Sequence, residues 1–191
     1  MAAGAAGVAL ALAVAVPAGA TTLRRAGLEA LVADNHTVVV GEVLDAHSYW
    51  NADNTFILTD VRVEVADVLK GEAPAVMTVT VMGGTVGDLT TLIVGGPELF
   101  PGRSYVLFVG HADLPGAARA NTVRDLAQGV FDLRAEGGVV RAVSQASEMP
   151  LVPDFFGQAE PPGGVRGLEL ASMVRTVREL AHVRTQGEDL K

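Results

Sequence analysis

The stretch Phe56–Gly71, FILTDVRVEVADVLKG, decides the architecture. Ile57, Val61, Val63, Val65 and Leu69 fall on one side of a period-2 pattern, and Asp60, Arg62 and Glu64 fall on the other, as in a half-buried strand. At about 3.3 Å per residue such a run would be roughly 50 Å long if straight, far beyond the usual strand of about 5 to 6 residues, so it must bend. Val68 breaks the alternation, which predicts a bulge near Ala66 or Asp67. A long bent strand wrapped by shorter ones predicts a mainly β fold: a small closed antiparallel barrel of five to six strands, flanked by a short N-terminal helix and a C-terminal helix.

Partners for this strand lie on either side. Upstream, Thr37–Trp50 contains the run Val38-Val39-Val40, which predicts a strand buried on both faces, and Asn51–Asn54 supplies the turn between the two. Downstream, Ala75–Met82 alternates Met77, Val79 and Val81 with Thr78 and Thr80, making a third strand and a meander. Tyr105–Val109 is apolar without alternation, again a strand buried on both faces. Gln128–Leu133 and Val139–Val143 flank Gly137-Gly138 and read as a closing hairpin, whereas His111–Asn121 reads as loop. Between strands, Gly83–Gly102 is a glycine- and proline-punctuated excursion in which Leu89, Leu92, Ile93 and Val94 predict a short extra strand.

Helical spacing appears at both ends. Leu23–Ala33 predicts a helix after Thr22 as N-cap, although Arg24 and Arg25 in its first turn would oppose its dipole. Leu170, Met173, Val174, Val177, Leu180 and Ala181 form an apolar stripe too short to be stable alone, so the helix is expected to dock on the barrel. The organisation expected is a signal peptide at 1–20, a barrel domain at 21–145, a Pro/Gly-rich linker at 146–167 pinned by Phe155-Phe156, and the docked helix at 168–191.

Composition bounds the function. The 191 residues carry a formal charge of -8 and no cysteine, which argues against nucleic acid as a partner and excludes disulfides, thiolate metal sites and a cysteine nucleophile. The first twenty residues are almost wholly Ala, Val, Leu and Gly and end in Ala18-Gly19-Ala20, so export with cleavage after Ala20 is expected, to an extracellular or periplasmic location and with no membrane attachment afterwards.

No Gly-x-Ser-x-Gly elbow, HExxH motif or phosphate loop is present. Asp45 and His47, two apart on one strand, come nearest to a metal pair, but no metal or other cofactor is expected. The reading is a non-catalytic, monomeric module that binds a protein or small molecule through barrel loops. Tyr49 and Trp50, the one adjacent Tyr–Trp pair, together with Thr85, Leu89, Leu92 and Phe100 from the excursion, form the candidate contact surface. The alternative is a metal-dependent or hydrolytic enzyme using Asp45, His47 and nearby carboxylates.

At Thr37–Val43 with its preceding helix, at Leu69-Lys70-Gly71, and at Pro101-Gly102-x-x-Tyr105-Val106-Leu107-Phe108, the chain resembles netrin-like domains and tissue inhibitors of metalloproteinases. The same segments, with Gly83-Gly84 and Gly95-Gly96-Pro97, resemble a group of exported bacterial proteins of unassigned function. The resemblance implies an OB-type barrel and a protease-associated or modulatory role. No residue here matches the N-terminal cysteine or the disulfides through which the metalloproteinase inhibitors act.

Overall fold

The computed structural model describes residues 24–124, 126–149 and 160–188. The expected signal at 1–20, the Thr22 cap, and Pro150, Pro153 and Phe155-Phe156 of the linker lie outside the described residues.

The organising hairpin is β1 (Thr37–Trp50) and β2 (Ile57–Lys70), antiparallel along their whole length. Asn51 folds the turn between them: its Oδ1 accepts the backbone N–H of Thr55 at 2.8 Å and of Phe56 at 3.1 Å. The register slips at Leu69, Ala66 and Leu44, so three bulges bend the pair, one of them at the expected Ala66.

β3 (Val76–Met82) pairs with β2, and β6 (Ser104–Leu114) pairs with the first half of β1. In chain order, β4 (Gly84–Val86) and β5 (Leu89–Thr91) form a separate small hairpin. β7 (Ala117–Val123), β8 (Val130–Glu136), β9 (Val139–Ser144) and β10 (Leu168–Glu169) complete the main antiparallel sheet. Its order is β10-β9-β8-β6-β1-β2-β3, with β7 also on β6.

Three expectations need correction. Eight strands share the sheet where five to six were expected. The loop expected over His111–Asn121 is instead the end of β6, a Pro115-Gly116 turn with Gly116 at φ +77°, and the start of β7. Its alanines have little intrinsic strand preference, and pairing with β6 imposes the conformation. Of the extra strand expected through Val94, only Leu89–Thr91 forms.

The two both-face runs explain the layers. Val39, Leu107 and Val109 point into an inner core with Val43, Val61 and Val63, while Val38, Val106 and Phe108 point the opposite way into an outer core with Phe131. Two helices cover that outer face, α1 (Leu28–Asp34) and α2 (Leu170–Glu188). Leu31 and Val32 of α1 and Met173 and Val177 of α2 are buried there.

α1 begins later than its periodicity predicts, after Gly27 and without a side-chain cap. Arg24 and Arg25 are not helical because other groups claim this backbone. The Gln128 amide accepts from Ala26 N–H at 2.8 Å and donates to the Arg24 carbonyl at 2.9 Å. Buried Arg25 donates to the carbonyls of Ala146 and Met149, at 3.2 and 3.1 Å.

The Lys70-Gly71 motif has a local cause. The Lys70 ammonium donates to the Val32 and Asn35 carbonyls at the C-terminal end of α1. Gly71, at φ +72°, passes so close to the His36 carbonyl that a Cβ would collide with it.

Val63 is buried in the inner core and its neighbour Glu64 is exposed. Val63→Ala is expected to cost about 1–3 kcal/mol and Glu64→Ala at most about 0.5 kcal/mol in denaturant titrations. Equal effects would contradict the register.

Candidate functional site

The excursion between β3 and β6 leaves the sheet at Gly83-Gly84. Gly83 N–H donates to the Ile57 carbonyl, and the Gly83 carbonyl accepts from the Thr59 hydroxyl at 2.6 Å. Gly84, at φ +129°, lies against the hydrogen-bonded hydroxyls of Ser48 and Thr59, where no side chain fits. The chain runs out along β4, turns at Gly87-Asp88 and returns along β5.

The returning segment is then fastened at three points. Ala127 N–H donates to the Gly95 carbonyl at 3.0 Å. The Gln145 amide pairs with Glu98 in both directions, donating to its carbonyl at 2.7 Å and accepting its N–H at 2.9 Å, as a neighbouring strand would. Phe100 N–H donates to the Tyr105 hydroxyl at 3.0 Å, and Leu99 is buried in the inner core. Burial raises the Tyr105 pKa, so the hydroxyl stays neutral and available as an acceptor at physiological pH.

Between this segment and the opposite wall, formed by the short helical turn Gln145–Glu148 with Met149 and Val165, lies an open groove of about 630 Å³. Leu92, Val94 and Phe100 line it with 81%, 85% and 48% of their surfaces exposed. Also in its lining, Asp132 pairs with Arg134 at 2.9 Å and accepts from Gln145 Nε2 at 2.8 Å, and the Arg103 guanidinium lies 5.2 Å from the Phe100 ring centre. Asp132 and Arg134 are thus engaged with each other, while the exposed apolar side chains share the groove with the exposed carboxylates of Glu98 and Glu148.

The groove gathers only part of the expected contact surface. Leu92 and Phe100 line it. Thr85 and Leu89 stand on the β4–β5 hairpin outside the lining, where the Thr85 and Thr90 hydroxyls are 2.9 Å apart.

Tyr49 and Trp50 are not in it. Both are half-buried at the end of β1, Tyr49 donating to Asp60 at 3.2 Å and Trp50 paired with Ile57 across the ladder. Burial first, then the Asp60 carboxylate, raises the Tyr49 pKa. Adjacent strand residues point to opposite faces, so these two aromatics could not form one surface.

Asp45 is held by Arg62 at 2.7 Å, and His47 stands beside Tyr49 with ring centres 6.3 Å apart. Among the described residues no three His, Asp or Glu side chains are grouped to hold a metal ion. Gln145, Met149 and Val165 were not foreseen as groove residues. Gln145 closes the expected barrel domain and the other two fall in the expected linker, so only the fold brings them opposite Leu92.

No protein-family model, curated protein or solved structure matches the chain.

Proposed function

We propose that this chain is an exported, non-catalytic binding module on an OB-like barrel, taking a protein or small-molecule partner in the groove beside the excursion. One observation carries the reading: Leu92 and Val94, each more than four-fifths exposed, line a groove together with the half-exposed Phe100. Leaving large apolar side chains in water has no benefit for the isolated fold, whereas a partner that covers them gains hydrophobic free energy. The barrel reading is supported by the approach of β3 to β7, which brings β1, β2, β3, β7 and β6 around the inner core. Among the described residues no helix is long and apolar enough to cross a membrane. A catalytic role for Asp45 and His47 is disfavoured by the Asp45–Arg62 ion pair, which occupies the carboxylate.

The test is to immobilise the mature chain and its Leu92→Asp/Val94→Asp variant and compare what each retains from the native secretome. Both positions are surface, so melting of the two proteins should agree within about 0.5 kcal/mol per site. The partner held by the parent should bind the variant at least about tenfold more weakly, a loss of 1.4 kcal/mol or more. Equal retention by both proteins would overturn the groove as the binding site.

A further inference from the structure

His36 and His111 stack face to face, with ring centres 3.9 Å apart and planes 19° from parallel. They close one corner of the molecule. His36 lies between the Asn35 C-cap of α1 and the first residue of β1; His111 lies on β6, two residues beyond Val109, the partner of Thr37. The stack thus ties the end of α1 to the sheet that α1 covers.

Cationic groups surround this corner. Lys70 of β2 donates to the Val32 and Asn35 carbonyls. Arg124, just after β7, donates to the Asp34 carbonyl at 3.4 Å, and its stem lies against Gly110, next to His111. On β7, Asn121 is the ladder partner of His111. The nearby carboxylates in sequence are Asp34 of α1, Glu72 after β2 and Asp113 of β6, whose Oδ1 accepts the Arg119 N–H at 2.8 Å, and none of the three forms an ion pair with either imidazole among the described residues.

We propose that the His36–His111 stack is an acid-labile latch, which at neutral pH holds α1 on the sheet and on protonation releases it. With both rings neutral, the stack is an attractive contact; with both charged, two cations face each other beside an ammonium and a guanidinium already committed to the α1 carbonyls. Release of α1 would uncover Val38 and Phe108 of the outer core.

Desolvation, then His111, then Lys70 all lower the His36 pKa below 6.5. A lowered histidine pKa favours the neutral ring in the closed state. The latch is therefore at full strength above about pH 6.5, the value for the released ring, and weakens as pH falls from there toward the closed-state pKa. Because both rings are exposed, salt should blunt the effect.

The experiment follows both histidines by NMR titration in the full chain, and follows amide exchange of Leu31 and Val32 against Val61 and Val63 between pH 7.5 and 5.0, corrected for intrinsic exchange rates. The expected result is a His36 midpoint below 6.5 and a several-fold loss of protection confined to Leu31 and Val32 at the acid end. His111→Phe keeps a ring in the stack but cannot charge; it should raise the His36 midpoint and diminish the acid loss. His36→Phe, the reciprocal change, should do the same for exchange. Protection independent of pH, loss spread equally to Val61 and Val63, or acid loss undiminished in both variants would each overturn the latch.

Discussion

Val177→Asp is expected to lower stability by about 3–5 kcal/mol, because it places an unpaired carboxylate where the native side chain has no contact with solvent. Val177 and Met173 are fully buried side chains of α2. They meet Leu31 and Val32 of α1, Leu69 of β2 and Ala142 of β9 in the outer core. The cluster offers no charged side chain to pair with the new carboxylate, so the fold must either release the helix or protonate the group.

The next residue, Arg178, reaches Asp67 of β2 with contacts of 2.7 and 2.8 Å, but both partners are substantially exposed. Arg178→Ala should cost no more than about 1 kcal/mol. Urea titrations of the parent and the two variants measure the contrast. If Val177→Asp melts like the parent, α2 is not held by its apolar stripe and its position on the sheet is wrong. Loss in Arg178→Ala as large as in Val177→Asp would instead make the ion pair the main attachment.

The same burial pattern explains what was legible in the sequence. Val38-Val39-Val40 and Tyr105–Val109 lack alternation because each strand faces a core on both sides, and that pattern is visible without coordinates. The bulge at Ala66 was marked by the broken alternation at Val68. β7 was hidden because Ala117, Ala118 and Ala120 take strand conformation from the neighbouring β6, a tertiary cause with no local mark.

For the site, Leu92 and Phe100 were legible as large apolar residues in a glycine-rich loop. Tyr49 and Trp50 are adjacent along β1 but point to opposite faces of the sheet, and neither lines the groove. The opposite wall was not legible at all. Gln145 mimics a strand for Glu98, and Arg25 holds the turn that carries Gln145; these bonds join residues 47 and more than 120 positions apart.

Phe108→Ala is expected to cost about 3–5 kcal/mol, near the upper end for an aromatic truncation. Phe108 is fully buried and tilts against Phe131 with ring centres 5.7 Å apart. The size of the loss depends on whether the surroundings can close over the cavity. On one side they cannot, since Leu107 and Val109, the chain neighbours of Phe108, are anchored in the inner core, and β6 is held between β1 and β8 by both ladders.

Only α1 and α2 could move inward, and both are fixed by other contacts, α1 through Lys70 and α2 through Val177. A double-mutant cycle with Phe131→Leu should therefore show coupling of at least about 0.5 kcal/mol, since the two rings share one contact. A loss below about 1.5 kcal/mol for Phe108→Ala, with no coupling to Phe131, would mean that the helices settle freely into the space. In that case the outer layer is loosely docked, and the large effect expected at Val177 should fail with it.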